Sequence, residues 1–240
     1  MHRAYLPLID PSALVLKVTD PDEVHHIRDV LRLKPGAELE VVDGKGALVR
    51  ASVGEADRSS LTLKVLGRTS FTPGVMEVCL ACAVPKRAKF ETILEKATEL
   101  GVDAIIPMIT DRTEVRPRAE GSYAARWERV IVSAGKQSKR LFFPKLYPVM
   151  SFPDVLACPA SGEGQVLIPW LEGERVPLKK AVDGISGEKV LVLIGPEGDF
   201  TPEEAASAIA KGAIPVSLGE AVLRVDTAAL AVLSVLKMTG

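Results

Sequence analysis

Residues 189–204 read KVLVLIGPEGDFTPEE. Lys189 to Ile194 is a short apolar, β-branched run of strand character. It breaks at Gly195-Pro196-Glu197-Gly198-Asp199, and Thr201-Pro202-Glu203-Glu204 then has the grammar of a helix start. Thr201 is placed as N-cap, Pro202 at the first helical position, and Glu204 three residues on completes a capping box. A strand, a glycine turn and a helix in this order form one unit of a mostly parallel α/β sheet. In such sheets ligands bind outside the carboxyl ends of the strands. Glycine turns at this place commonly cradle phosphate, but Glu197 and Asp199 would repel it. The helix N-terminus is already capped, and no Lys-Ser/Thr pair follows the glycines as in a phosphate loop. Two readings remain: a tight structural turn, or a turn whose amides and carboxylate hold a ligand carrying hydroxyls and positive charge. An adenosine bearing a sulfonium is such a ligand.

The same grammar extends on both sides of this stretch. From Val75 the chain alternates VMEVCLACAV, a strand, with KRAKFETILEKATELG, a helix whose Phe90, Ile93, Leu94, Ala97 and Leu100 recur at helical spacing. DAIIPMI follows as a strand and YAARWERVIVSAGKQSKR as a second helix, then strands in PKLYPV and GQVLIPW. Beyond the glycine turn come a helix in PEEAASAIAKG, a strand in IPVSLG, and TAALAVLSVLKM. This last helix, Thr227 to Met238, is apolar nearly all round and is expected to be buried on several sides, in a core or between subunits. Asp226 or Thr227 is placed as its cap.

Residues 1–70 have a different character. LVLKV, ELEVVDG, ALVRASVGEA and SLTLKVLGR read as short strands, with a hairpin turn at Val41 to Gly46 and one helix from near Asp22 to Pro35-Gly36. The spacing predicts a small β-barrel or sandwich, joined to the rest by a linker at Ser70 to Gly74. The domains are thus 1–70 and 73–240.

A net charge of -1 means that any affinity for a polyanion must come from how charge is distributed. Residues 84–145 carry thirteen Lys and Arg against eight Asp and Glu, and residues 146–240 carry seven against twelve. A basic middle beside an acidic end suits a polyanion on one side. On the second helix Arg126, Arg129, Lys136 and Arg140 fall on one face. Arg112, Arg116 and Arg118 precede them, and Lys86, Arg87 and Lys89 lie earlier still. In the N-terminal domain Arg3, Arg28, Arg32 and Lys34 extend the track. Contacts of this kind position RNA without reading sequence; the plainer reading is a solvated charged face. Cys79 and Cys82 form a lone C-x-x-C, but three residues apart in a strand they point to opposite faces. With Cys158 they read as buried thiols of a reducing cytoplasm. His25 and His26 lack a third ligand, so no metal is expected. No signal peptide or membrane-spanning run is evident.

In IPVSLGEAVLRVDTAALAVL, Arg224 lies in a loop between a strand end and the last helix. LIPW, LIGPEG and VSLG are three strand ends that would face one pocket. LIGPEGDFTPEE followed by PVSLGEAVLRVDTAALAVLSVLK resembles the signature of the RsmE family, the 16S ribosomal RNA uridine N3-methyltransferases of the SPOUT class. KATELGVDAIIPMITDRTEV and HHIRDVLRLKPGAELEVVDGKG resemble the same family, so the likeness spans almost the whole chain. It implies an α+β protein with an N-terminal PUA-like RNA-binding β-barrel. It also implies a C-terminal α/β domain with a deep trefoil knot, S-adenosylmethionine in the knot, and a cytoplasmic homodimer acting on 16S ribosomal RNA, within the small subunit.

Carried onto this chain, the resemblance implies cofactor contacts at Pro169, at Leu193, Ile194, Gly195, Pro196, Glu197 and Gly198, at Ser217, Leu218 and Gly219, and at Val222, Leu223 and Thr227. Arg224 is the candidate catalytic group, stabilising charge that develops on the uracil. No His, Cys or second carboxylate stands out as a general base. The chain departs from the family at Asp199, where Gly is usual, at Val225-Asp226, where Thr-Glu is common, and at Arg87-Ala88, where Gly-Asp is common. Two other functions fit the same residues: a catalytically silent RNA-binding protein, and a knotted methyltransferase acting on a ribose 2′-hydroxyl or on tRNA.

Overall fold

The structure, a computed structural model, describes residues 1–57, 59–85, 89–117, 123–158, 164–185 and 187–238. The expectations for Lys86, Arg87, Ala88 and Arg118 lie outside them. The chain divides into two compact units: Met1–Pro73 with Val132–Phe143, and Gly74–Ile131 with Pro144–Gly240.

In the first unit β1 (Arg3–Tyr5), β2 (Val15–Val18), β3 (Glu38–Val42), β4 (Ala47–Ala56) and β5 (Leu61–Ser70) form one sheet in the order β1-β3-β4-β5-β2. Only β1 pairs in parallel, against β3. Alternate residues of the central strands (Leu39, Val41, Val49, Ala51, Leu61, Leu63) are fully buried, and the sheet curls around them. Each such side chain contributes about 1.5–3 kcal/mol relative to exposure. The expected helix is shorter and begins earlier. Asp20 caps α1 (Pro21–His25), and a π-helical turn over His26–Val30 then ends it, leaving Arg32 at φ 52°.

The hairpin glycines have a second duty. A Cβ on Gly44 would lie 2.9 Å from the Phe143 ring, and one on Gly46 2.6 Å from the Phe142 ring. The backbone bonds Phe143 N to Gly44 O (2.9 Å) and Gly46 N to Leu141 O (3.0 Å) complete this socket. Segment 132–143 therefore groups with the first 73 residues, which no local pattern in the sequence announces.

In the second unit all eight strands run parallel, in the order β11-β13-β10-β12-β6-β7-β8, with β9 also on β7. They are β6 (Glu77–Ala83), β7 (Ala104–Ile109), β8 (Lys145–Leu146), β9 (Met150–Ser151), β10 (Gln165–Pro169), β11 (Val176–Pro177), β12 (Lys189–Ile194) and β13 (Ile214–Ser217). The middle strands are buried on both faces, as parallel strands covered by helices must be: Val78 to Ala83 of β6 and Val190 to Ile194 of β12 all lie in the core. The helices are α2 (Lys89–Leu100), α3 (Tyr123–Gln137), the short α4 (Phe152–Ala157) and α5 (Leu178–Asp183), α6 (Pro202–Ala210) and α7 (Val225–Met238). The capping box at Thr201 and Glu204 forms as its sequence demands.

The last helix corrects one expectation, the position of its cap. It starts at Val225, so Arg224, not Asp226 or Thr227, occupies the cap; the Ala228 amide donates to the Arg224 carbonyl at 2.8 Å. It also buries one face, Val225, Ala229, Val232, Leu233 and Leu236, against α2, α5 and the sheet. Thr227 and Met238 are exposed. Lys237 locks its far end, donating to Asp103 Oδ2 at 2.6 Å, and the same oxygen accepts from the Val78 amide.

Candidate active site

Strands β10, β12 and β13 end side by side, because β12 lies between β10 and β6 and β13 flanks β10. Order reversals of this kind open a crevice at the carboxyl ends of strands. Here it is a cleft of about 280 Å³. The segments after β10 contribute Pro169, Trp170, Leu171 and Arg175; those after β12 contribute Ile194 to Glu197 and Asp199. Val216, Leu218, Gly219 and Ala221 to Arg224 form the third wall, and Val225 and Ala228 of α7 the fourth.

Of the residues singled out from sequence, Pro169, Ile194, Gly195, Pro196, Glu197, Leu218, Gly219, Val222, Leu223 and Arg224 line this cleft. Four do not. Leu193 is buried in the core. Gly198 turns toward Arg112, whose Cδ would lie 3.4 Å from a Cβ there. Ser217 bonds its own loop, with Oγ 3.3 Å from both the amide and the carbonyl of Gly219. Thr227 is exposed on α7. Trp170, Leu171, Arg175, Asp199, Val216, Ala221, Val225 and Ala228 also line it and were not among the expected contacts. Trp170 ends a recognisable strand, but nothing local marks Arg175, which donates to the Trp170 carbonyl at 3.2 Å.

The two acids of the turn have different work. Asp199 has φ 59°, a conformation that favours glycine. Its Oδ1 accepts from the Phe200 amide at 2.8 Å and its Oδ2 from the Leu171 amide at 3.0 Å, so both oxygens are committed to the protein. Glu197 faces the cleft, and among the described residues no hydrogen bond or ion pair engages its carboxylate. The same holds for the Arg224 guanidinium. No hydrogen bond among the described residues holds the backbone amides of Glu220 to Leu223. The wall thus presents open donors beside the apolar Ile194, Leu218 and Leu223. In the first turn of α7, Asp226 Oδ1 is buried with no hydrogen-bond partner among the described residues. Burial pushes the Cys82 thiol upward, and the Glu197 and Asp226 carboxylates push it further. Such a cleft suits a ligand with hydroxyls, a cation and an aromatic ring edge.

The basic residues are less free than their spacing suggests. Arg126 pairs with Glu91 (2.7 Å), Lys136 with the buried Glu23, and Arg3 with Glu40 (2.7 Å). Arg28 pairs with Asp29, and Arg112 donates to the Gly198 carbonyl at 2.7 Å. α3 ends at Gln137 and Lys139 takes φ 57°, so Arg140 is not on the helix and the four-residue stripe is broken. Arg32, Lys34, Arg116 and Arg129 remain exposed.

A parallel sheet with a ligand cleft at its strand ends, in a chain that also carries a curled sheet unit, defines a class, and comparison with known proteins identifies it. Residues 72–237 match the family described as RNA methyltransferase domain, and residues 18–66 the RNA methyltransferase PUA domain. The chain belongs to this RNA methyltransferase family. Among relatives, it is 33% identical to ribosomal RNA small subunit methyltransferase E of Mycobacterium tuberculosis, over 91% of this chain and 85% of that one. It is 27% identical to the protein of the same name from Aquifex aeolicus, over 98% and 99%. Among solved structures, that of ribosomal RNA small subunit methyltransferase E from Neisseria gonorrhoeae bound to S-adenosyl methionine aligns with a TM-score of 0.87 at 27% identity, covering 100% of this chain and 98% of that one.

Proposed function

We infer that this chain transfers a methyl group from S-adenosylmethionine to N3 of a uridine in 16S ribosomal RNA. The observation that carries the reading is the cleft itself: an unengaged carboxylate, Glu197, and an unengaged guanidinium, Arg224, face one crevice at the ends of three parallel strands. Relatives named for small-subunit ribosomal RNA methylation, and one solved with S-adenosyl methionine, support the substrate and the cofactor.

The residues present fit the methyl donor. Pro169, Ile194, Pro196 and Leu218 give apolar walls for the adenine. The open amides of Glu220 to Leu223 are donors for its ring edge, and Glu197 is an acceptor for ribose hydroxyls. When bound, this cofactor supplies an electrophilic methyl carbon on a sulfonium. The protein's part is orientation and charge. The uracil N3–H is a weak acid; its proton leaves to water, and the nucleophile is the deprotonated imide nitrogen. Arg224, at the cap of α7, is placed to hold the negative charge that gathers on the uracil oxygen, and holding the ring against the cleft makes attack effectively intramolecular. A carboxylate held against a bound sulfonium would favour the charged ground state over methyl transfer. Glu197 is therefore assigned to the ribose.

The same reading includes a cytoplasmic homodimer, the trefoil knot and the assembled small subunit as substrate. It also assigns Arg32, Lys34, Arg116 and Arg129 to RNA phosphates. Titration calorimetry tests the cofactor site. S-adenosylmethionine should saturate one site per chain in the wild type and fail to bind Ala228→Phe, whose ring fills the cleft. Equal affinity in the two proteins would refute the site.

A further inference from the structure

We propose that Arg112 is a positioning residue for the methyl-donor cleft, acting through the carbonyls of the glycine turn, and is not an RNA contact. This rests on the cleft reading above. Arg112 Nη1 donates to Gly198 O at 2.7 Å and to Phe200 O at 3.3 Å, across 86 residues of sequence in the first case. These two carbonyls flank Asp199, the residue held at φ 59°. A non-glycine residue in that region costs about 1–2 kcal/mol and persists only where the surroundings enforce it.

Within the turn itself one backbone bond, Asp199 N to Pro196 O at 3.0 Å, favours the shape. The Phe200 amide, donating to Asp199 Oδ1 at 2.8 Å, adds a second local constraint, and further ones come from outside the turn. Arg112 grips the turn on one side, and Leu171 N holds Asp199 Oδ2 on the other.

The arginine is itself well anchored. Its neighbours Thr110 and Thr113 are buried and bond each other through their hydroxyls at 2.9 Å. The Asp111 amide donates to Glu204 Oε1 at 2.9 Å, while Glu204 Oε2 accepts from the Thr201 amide at 3.0 Å. One carboxylate thus ties the loop after β7 to the start of α6, and Arg112 ties the same loop to the turn between. If the guanidinium is removed, Gly198 O and Phe200 O lose a charged donor. Asp199 then relaxes toward negative φ and carries Glu197 and the Leu171 wall with it.

The test uses the full chain with Arg112→Ala, Arg112→Lys and the cleft-filling Ala228→Phe, with S-adenosylmethionine as the probe. Arg112→Ala should weaken cofactor affinity about tenfold or more, as loss of a charged hydrogen bond does. Lysine should recover part of it. Turnover at saturating cofactor should stay within about twofold of wild type, and the salt dependence of RNA binding should not change. A global structural defect would not give that split. Asp199→Gly, which removes the strain, should shrink the Arg112→Ala effect to less than about threefold, since the two sites are coupled.

Wild-type cofactor affinity in Arg112→Ala overturns the proposal. So does a salt slope reduced by about 0.7–0.9 with cofactor binding intact, the signature of a lost phosphate contact. Should Arg112→Ala not fold, a folded Arg112→Lys that weakens cofactor binding more in the wild-type background than in the Asp199→Gly background supports it, and equal effects in the two backgrounds overturn it. Should Ala228→Phe bind like wild type, the cleft reading fails and takes the proposal with it. If Ala228→Phe abolishes binding and Arg112→Ala does not, the role of Arg112 alone fails.

Discussion

The Leu171 amide and the Asp199 carboxylate, 28 residues apart in sequence, meet at 3.0 Å and join the segment after β10 to the turn after β12. This bond gives the acid in the glycine turn a structural task. A side chain at a strained position is tolerated because it holds a wall of the cleft. Replacing Asp199 with glycine relieves the strain and removes the bond at once. The melting temperature of Asp199→Gly should therefore move by only a few degrees, since about 1 kcal/mol is recovered and a similar amount lost. Cofactor affinity should fall several-fold. Calorimetry beside a thermal melt checks the pair, and unchanged affinity would show that the wall does not need its latch.

A substitution within the glycines is a poorer probe of the cleft. A Cβ on Gly195 would sit 3.1 Å from the Phe200 ring, so Gly195→Val perturbs packing before it meets any ligand. Ala228→Phe should instead leave the melting curve near wild type while abolishing S-adenosylmethionine binding.

The proposed dimer has a testable face. Leu233 is fully buried within the chain, so a charge there should unfold the protein without separating subunits. Ala231 lies on the opposite side of α7 and is half-buried. Wild-type protein should have the mass of two chains by light scattering, and Ala231→Glu that of one, with its helical circular dichroism retained. A monomeric wild type contradicts this part of the account.

The cysteines give a pH signature. Burial first, then the negative groups around it, pushes the Cys79 thiol up to about 12 from 9.0. Between these values the unfolded chain loses a proton that the folded chain keeps, so this group's contribution to stability is full below pH 9 and declines as pH rises toward 12. Urea midpoints should therefore fall from pH 8 to pH 10 more steeply in wild type than in Cys79→Ala. Parallel slopes would contradict the assignment, as would rapid reaction of Cys79 with a thiol reagent in the native state at pH 8.

Much of this was legible in the residues. Helical spacing located α2, and Thr201 with Glu204 announced a capping box that forms as written. The three strand ends were read as facing one pocket, and they do line one cleft. What escaped the sequence was long-range. Arg112 bonds main-chain carbonyls, which have no sequence identity to match, so its spacing suggested an RNA track. Lys136 looked solvated until Glu23, 113 residues away, proved to be its partner. Phe142 and Phe143 dock on Gly44 and Gly46, which local pattern explained sufficiently as a hairpin. The apolar content of α7 suggested burial on several sides, in a core or between subunits; within one chain one face is buried, and Leu230, Ala231 and Ser234 are half-buried on the rest.

The central claim is tested most directly by nucleoside analysis of small-subunit ribosomal RNA, from cells lacking this activity, after reaction with S-adenosylmethionine and purified protein. The account predicts one new methylated nucleoside, 3-methyluridine. With Arg224→Ala its rate of formation should fall about a hundredfold, as for loss of a group stabilising developing charge, while cofactor and RNA affinities stay within about twofold. A ribose 2′-O-methyl nucleoside, methylation confined to tRNA, or cofactor binding without methyl transfer to any RNA would contradict it.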